Sequence, residues 1–219
     1  MFSKYCRVLP ALLLGFGLVA VPALAEPPAT KTASDWKSIQ NKAAHFEVSI
    51  PAGWNAIEMD PALIDSSLNE IAKTNPDLGK AFGPQARALV AAGIKFLAID
   101  SAVDLAKVGF ATNFNVLQDQ APPGISIEDF LHGNAAQLKG LSSVEGVEER
   151  LIELGGRRAG RLEYRMMVNP AAGLEVSITQ VFVIQGESSL IFTFTTLPSQ
   201  LSHYAPLFEQ MIGRIRVFD

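Results

Sequence analysis

The sequence predicts an α+β fold in which helices pack on a mainly antiparallel sheet. Apolar and polar residues alternate in several segments, as in half-buried strands, and connections of hairpin length join four such segments near the C-terminus. Amphipathic helical segments lie before, between and after these strands. Because hairpins join neighbouring strands in opposite directions, we expect an antiparallel sheet with the helices on its faces.

The first part of the chain predicts two strands and a helical region. Residues 46–50 alternate between apolar and polar side chains, and a Pro-Ala-Gly turn at 51–53 leads to a second short strand. Asp60 is the expected N-cap of a helix. A second helix is expected over residues 84–92. The apolar face of the first helix consists of Ile64, Leu68, Ile71 and Ala72.

The rest of the chain predicts further strands and two more helices. Strands are expected at 94–100 and 110–118, and after a proline-glycine break a helix begins at Ser126. A four-stranded meander is expected next, at 148–154, 159–168, 174–184 and 189–197. The last element is a helix whose apolar face comprises Leu201, Tyr204, Phe208, Met211, Ile212 and Ile215.

The N-terminal 25 residues have the features of a secretory signal peptide. Lys4 and Arg7 form a positive region, residues 8–21 are apolar, and small residues precede an expected cleavage site before Glu26. The apolar run is shorter than the roughly 20 residues of a transmembrane helix. We therefore predict that residues 1–25 are removed, that the protein is exported to the periplasm or beyond the cell, and that no stable membrane anchor is left.

After the signal, residues 26–37 are expected to form a flexible leader, because prolines and small polar residues offer little to bury. Residues 38–219 are then predicted to form a single domain, since no repeat or change in composition marks a boundary. Cys6 lies inside the signal. The mature chain is therefore expected to have neither a disulfide nor a thiol.

The charge of the chain disfavours nucleic acid as a partner. The full sequence has 18 basic and 22 acidic residues, a net charge of −4. Loss of the signal removes two basic residues, which leaves 16 against 22, a net charge of −6. Affinity for nucleic acid rests on basic side chains that neutralise phosphates. We therefore expect no binding to nucleic acid, nor to an anionic membrane surface.

Four stretches occur along the chain in a characteristic order. They are FEVSIPAGW, FNVL before a proline-glycine break, LGGRRAGRLEY, and LIFTFTTLPSQLSHYAPLFEQMIGRIRVF. Together, over roughly residues 38–218, they resemble the PsbP-like family. That family includes the extrinsic luminal protein of photosystem II and exported bacterial relatives, and a eukaryotic Ran-binding protein shares its fold. The resemblance implies an α/β/α sandwich around an antiparallel sheet, accessory or binding functions, and no shared catalytic residues.

Four arginines, Arg157, Arg158, Arg161 and Arg165, lie close together in the predicted meander. In a strand, Arg161 and Arg165 project to the same side as Glu163. We interpret this side as a charged, solvated face with cross-strand ion pairs, opposite a buried apolar face. The alternative is that the four arginines form a surface contact for an anion or for the carboxylates of a partner.

No catalytic or metal-binding motif is recognised. His45, His132 and His203 lie in three separate elements, and none has a second ligand at metal-binding spacing. Glutamates before the Gly155-Gly156 turn lack the pattern of a calcium loop, and we interpret them as a charged strand edge. We therefore predict no metal, no cofactor and no enzymatic activity. Histidines and carboxylates that are distant in sequence could still meet in the folded chain.

Two functions are open on this sequence. The first is an exported, non-enzymatic accessory protein that acts by protein–protein contact in the cell envelope. The second is a carrier of a small, partly apolar ligand held between helices and sheet, with the helical region 60–93 as a lid. A cleft for such a ligand would be lined by aromatic residues that are otherwise expected in the core: Trp54, Phe82, Phe96, Phe110 and Phe114.

Overall fold

The computed structural model describes residues 35–62, 64–66, 69, 73, 86–101 and 110–218. Its strands are β1 Trp36–Asn41, β2 Phe46–Pro51, β3 Trp54–Glu58, β4 Ile94–Asp100, β5 Asn113–Gln120, β6 Val144–Leu154, β7 Arg157–Asn169, β8 Leu174–Gln185, β9 Ser188–Thr196 and β10 Arg216–Val217. The longer described helices are α1 Ile127–Lys139 and α2 Leu201–Ile212. Residues 86–91 are also helical.

Most of the strands form one antiparallel sheet of seven strands, in the order β3-β4-β5-β9-β8-β7-β6. The predicted meander is confirmed, because β6, β7, β8 and β9 are consecutive neighbours. Pairing of β5 with β9 places β5, β9 and β8 in the middle of the sheet. A second antiparallel sheet has the order β1-β2-β10.

The seven-stranded sheet has a separate apolar cluster on each face, since successive side chains of a strand point to opposite faces. One face, here called the α1 face, packs against α1 and against helical residues in 64–66 and 86–91. The other, the α2 face, packs against α2 and against β2 of the small sheet. This layered α+β arrangement is the predicted fold class, and the small sheet adds to the layer that contains α2.

The helix caps follow the prediction. The hydroxyl of Ser126 accepts a hydrogen bond from the backbone N–H of Asp129 at 3.0 Å and donates one to the Asp129 carboxylate at 2.8 Å. These reciprocal bonds satisfy a backbone donor that the first turn of α1 would otherwise leave unpaired. The carboxylate of Asp60 accepts from the N–H of Ala62 at 2.7 Å, as expected of a capping residue.

Two residues expected in the flexible leader lie in a strand instead. Trp36 and Lys37 begin β1 and pair with Pro51 and Ile50 of β2. The guanidinium of Arg214 lies 4.5 Å from the centre of the Trp36 ring. Polar residues dominate this edge strand, so its sequence lacks the alternation that identifies a half-buried strand.

Two further details of the prediction are wrong. The final helix ends at Ile212, and Ile215 is buried beyond it, before β10. Leu201, expected on the apolar face, is 38% exposed. Of the helix expected over residues 84–92, residues 86–91 are helical, and residues 84–85 lie outside the described residues. Leu68 and Ile71, expected on the apolar face of the preceding helix, also lie outside them.

Candidate functional site

Polar side chains occupy the middle of the α1 face, where apolar residues are expected. Asn113 and Asn115 lie on β5, Thr193 and Thr195 on β9, and Gln180 on β8; each is at most 8% exposed. Asn115 is opposite Thr193, which is opposite Gln180, and Asn113 is opposite Thr195. Directly opposed side chains have Cβ atoms about 5 Å apart. These five residues are therefore contiguous, and we call them the central polar cluster.

Apolar side chains surround the central polar cluster. In the two cross-strand rows, Leu97 and Ile99 of β4 lie on one side, and Leu162 of β7 and Ile178 of β8 on the other. All four are buried, in the same apolar cluster as Leu89 of the helical residues 86–91. The arrangement is a polar patch with an apolar rim on the α1 face of the sheet.

The hydrogen-bonding capacity of the cluster is only partly used. Gln180 Nε2 donates to Thr193 Oγ1 at 3.2 Å, and Asn113 Nδ2 donates to the carbonyl of Ala111 at 3.0 Å. Within the described part of the chain, the buried Asn113 Oδ1 has no hydrogen-bond partner. A buried polar group without a partner costs roughly 1–3 kcal/mol. Asparagine is also disfavoured in strands, so this cluster lowers stability and calls for an explanation in terms of function.

Sequence reasoning missed the central polar cluster. In the segment Leu190–Thr195, one side of the strand carries Leu190, Phe192 and Phe194, and the other carries Ile191, Thr193 and Thr195. The two threonines make the second side look like the solvated face of a strand. Threonine also favours strands, so it attracts no notice there. The available signal was asparagine on either side of Phe114, because two asparagines inside a strand are unusual.

The four arginines do not form one surface. Arg158 reaches α1 and pairs with Glu128 at 2.6 Å. Arg165 pairs with Glu145 at 3.4 Å and with Glu175 at 3.8 Å. These pairs confirm the expectation of charged contacts along the meander, although their partners lie on three different elements. A surface contact by Arg157, Arg158 and Arg165 stays a prediction.

Arg161 contradicts the predicted solvated face, because its side chain is only 7% exposed. It donates to both carboxylate oxygens of Glu209 on α2, at 3.0 and 2.5 Å, and to Glu163 at 2.5 Å. Glu163 also pairs with Arg150 at 3.1 Å. We call these four residues the arginine network. It fastens α2 to the sheet, so Arg161 is not a surface contact.

The arginine network shifts the pKa values of its members. Burial acts to lower the pKa of Arg161, but the hydrogen bonds and charges of Glu209 and Glu163 outweigh it, so the pKa lies above its ordinary value. The hydrogen bond from Arg161 holds the pKa of Glu209 below its ordinary value, against the opposing effect of partial burial. Both shifts favour the charged pair at neutral pH.

An open groove of about 360 Å³ lies apart from the central polar cluster, at one end of the sheet. Its lining comprises His45, Gln118, Arg157, Ile184, Gln185, Gly186 and Ser188. Gln185 Nε2 donates to the carbonyl of Phe218 at 2.7 Å, and Ser188 Oγ donates to the Gln185 carbonyl at 3.1 Å. These polar groups hold the C-terminal residues and the turn between β8 and β9 in place.

The histidines remain separate in the fold. His132 is exposed and lies 3.3 Å from Glu149, and the His203 ring packs edge-on against Tyr204. Among the described residues, no three His, Cys, Asp or Glu side chains are arranged to hold a metal ion. None of the described helices is long and apolar enough to cross a membrane.

The aromatic residues considered for a cleft pack in the two apolar clusters. Trp54, Phe96, Phe110 and Phe114 are at most 4% exposed. Phe114 stacks on Phe194 with ring centres 4.6 Å apart. Core packing is therefore confirmed for these four, and Phe82 lies outside the described residues.

Similarity to solved structures identifies the fold. The solution structure of cyanobacterial PsbP (CyanoP) from Synechocystis sp. PCC 6803 has a TM-score of 0.55 at 13% identity, covering 89% of this chain and 99% of that one. LpqN, a protein involved in cell envelope biogenesis of Mycobacterium tuberculosis, has a TM-score of 0.53 at 11% identity, covering 84% and 91%. The chain has the PsbP-like fold. No protein-family model and no curated protein matches its sequence.

The PsbP-like fold was expected from the order of four short motifs, and the structure confirms it. At these low identities the similarity concerns the fold alone. A further structure, the Ran-binding protein Mog1p of Saccharomyces cerevisiae, has a TM-score of 0.46 at 12% identity, covering 84% of this chain and 96% of that one. A PsbP-like fold can carry unrelated functions, so function must be argued from the site.

Proposed function

We propose that the protein is an exported, non-catalytic carrier that holds a small, partly apolar ligand between the helical layer and the α1 face of its sheet. The central polar cluster carries this proposal. Its Asn113 carbonyl oxygen is buried and has no hydrogen-bond partner within the described chain. A ligand that donates to this oxygen would recover stability that the unpaired group costs.

The composition of the site supports a ligand with two parts. Ligand sites in proteins are mostly apolar, with a few polar groups that fix the orientation of the ligand. Here Leu97, Ile99, Leu162 and Ile178 provide the apolar rim, and the amide and hydroxyl groups lie at its centre. The apolar part of a ligand would pack on the rim while its polar part binds the cluster.

The setting in the cell envelope rests on two supports. The signal peptide over residues 1–25 predicts export, with Glu26 as the first residue of the mature protein. The second support is the shared fold of LpqN, which is involved in cell envelope biogenesis of Mycobacterium tuberculosis.

The experiment is native mass spectrometry of the protein after mild purification from its own cell envelope. We expect a reproducible adduct of about a few hundred daltons, the size of a ligand that fits a pocket of a few hundred Å³. Asn115→Leu, which removes polar capacity at the centre of the site, should lose the adduct. Thr179→Val is the matched control, since Thr179 is equally buried but lies on the α2 face. A wild-type protein that carries no adduct refutes the carrier.

A second candidate is the accessory protein that acts by protein–protein contact. The observation that favours it is the free edge of the sheet at β6, where Leu151 is 42% exposed beside Glu148, Glu149 and Glu153. A partner would be expected to crosslink to β6 in intact cells. If a polypeptide co-purifies in the absence of a small adduct, this candidate replaces the carrier.

A further inference from the structure

The strand β6 lies at one edge of the seven-stranded sheet and pairs with β7 on its inner side. Its residues 148–153 are exposed apart from the half-buried Ile152, in contrast to the buried strands in the middle of the sheet. The regular part of this strand covers residues 148–154, because the register shifts between Glu145 and Glu148. An exposed edge strand presents unpaired backbone N–H and C=O groups to which a further strand can bind.

The turn between β6 and β7 fixes which backbone groups of β6 point outward. The two glycines of this turn, residues 155–156, have φ values of 58° and 82°, the positive pair of a type I′ turn. In such a hairpin Leu154 and Arg157, which flank the turn, form a hydrogen-bonded pair, and the pairing alternates along the ladder from there. The N–H and C=O groups that point away from β7 therefore belong to Glu149, Leu151 and Glu153.

The side chains of these three residues follow the order acidic, apolar, acidic along one face of the edge. Leu151 is 42% exposed, and Glu153 is exposed. The Glu149 side chain is 30% exposed. Residues 148–153 contain three glutamates and one basic residue, Arg150, so this edge is negatively charged.

A second copy of this chain is a poor partner for the edge. The register that engages all three outward residues is centred on Leu151, and it places Glu149 of each copy opposite Glu153 of the other. Directly opposed like charges destabilise a pair of strands, whereas directly opposed opposite charges stabilise it. The charge of the edge therefore disfavours self-association and favours a strand with basic side chains at those two positions.

We infer that the edge of β6 binds an extended segment of a partner protein with an apolar side chain opposite Leu151 and basic side chains opposite Glu149 and Glu153. In this mode of recognition the main-chain hydrogen bonds provide affinity, and alternate side chains provide specificity. The inference rests on the second candidate function, the accessory protein, and adds its surface and the chemistry of its partner. It does not depend on the carrier.

The test is a titration of two capped peptides, TKTVTKT and TETVTET, into the ¹⁵N-labelled protein at neutral pH, followed by NMR. Both peptides read the same in either direction, so their central valine meets Leu151 and the flanking charges meet Glu149 and Glu153 in a parallel or an antiparallel arrangement. The lysine peptide should bind at least about tenfold more tightly, because two favourable charge pairs replace two repulsive ones.

The pattern of shifted signals identifies strand pairing. The backbone amide signals of Glu149, Leu151 and Glu153 should shift in a saturable manner, because their N–H groups gain acceptors. The signals of Arg150 and Ile152 should shift much less, because their N–H groups already bind β7. Attraction of lysine to the acidic surface without strand pairing would not produce this alternation.

Variants locate the binding. Leu151→Pro removes an outward N–H and no bond to β7, and proline is tolerated on an edge strand at such a position; it should weaken binding of TKTVTKT at least about tenfold. If circular dichroism shows that this variant does not fold, Glu149→Gln with Glu153→Gln keeps the size of both side chains and should reduce the preference for the lysine peptide below about threefold. Glu58→Gln on β3, at the opposite edge of the sheet, is the matched control and should bind both peptides like the wild type.

Three results would overturn the inference: TETVTET binds as tightly as TKTVTKT, the lysine peptide produces no alternating shifts at β6, or the β6 variants bind like the wild type. Shifts of the three outward amides on raising the protein concentration without peptide would make a second copy the occupant and also overturn it. Failure of the proposed functions is distinguishable. A protein without a small adduct refutes the carrier and leaves the edge site intact, whereas a co-purifying polypeptide that crosslinks away from β6 supports the accessory function and overturns the edge site.

Discussion

The arginine network provides a direct test of how buried charge is balanced in this fold. Arg161 is nearly inaccessible, and its charge is compensated by Glu209 on α2 and Glu163 on the same strand. Glu163→Gln and Glu209→Gln together remove both compensating charges and keep the size of both side chains. We predict that this double variant is less stable than a triple variant that also carries Arg161→Met.

The expected loss of stability depends on how far the Glu209 and Glu163 side chains are exposed to solvent. The Glu209 and Glu163 side chains are 55% and 32% exposed, so solvent weakens each contact, and each single variant should lose only about 1–2 kcal/mol. The double variant leaves the guanidinium of Arg161 buried and uncompensated, with Arg150 nearby, and should lose about 3–5 kcal/mol. Adding Arg161→Met removes the buried charge and should restore about 2 kcal/mol or more.

The assay is urea unfolding. Free energies of unfolding are compared from the transition midpoints, with the same m-value for all variants. Glu128→Gln is the control, because the Glu128–Arg158 pair is 40% and 71% exposed and should change stability by at most about 1 kcal/mol. The reasoning fails if the double variant loses less than about 1 kcal/mol, or if Arg161→Met destabilises the double variant further.

Three more predictions concern pH, packing and the central polar cluster. The hydrogen bond from Arg161 lowers the pKa of Glu209 from 4.5. The ionised Glu209 therefore stabilises the fold fully above pH 4.5, and this contribution is lost as the pH falls through the lowered pKa. Glu209→Gln should reduce the loss of stability that urea unfolding measures between about pH 6 and pH 3. Gly160→Ala places a Cβ 3.0 Å from Leu131 Cδ1 and should lower the free energy of unfolding, measured by thermal unfolding, by about 1–3 kcal/mol. Gly133→Ala in α1 meets no atom within 4 Å and should raise it by about 0.5–1 kcal/mol. Equal effects of the two glycine variants would contradict this packing. Asn115→Leu should leave the unliganded protein as stable as the wild type or more stable in urea, and a loss above about 1 kcal/mol would show that the amide is structurally satisfied.

Local patterns in the sequence predicted most of the elements, because local physics decides them. The Ser126 and Asp129 cap, the strand at 94–100 and the four-stranded meander all depend on neighbouring residues and short turns, and all are present. The strand at 36–41 was missed because its stability comes from pairing with β2, which no local pattern records. The PsbP-like fold could be recognised only from the order of several weak motifs.

The candidate site depended on contacts between distant segments. Threonine and asparagine in an alternating strand predict a solvated face, and the same alternation misplaced Arg161 in solvent. Alternation tells which residues share a face of a strand, but whether that face meets water or another layer is decided by packing. Helical residues cover one face of the sheet and α2 covers the other, so both faces are buried.

The sequence by itself determined the signal peptide prediction, the acidic balance, the α+β class and the periodicity of the strands, since these follow from composition and local order. Only the tertiary structure decided that Asn113, Asn115 and Thr195 are buried together on adjacent strands and that Arg161 is buried against Glu209. The physical reason is that burial depends on which elements pack together, and those contacts join residues far apart in the chain.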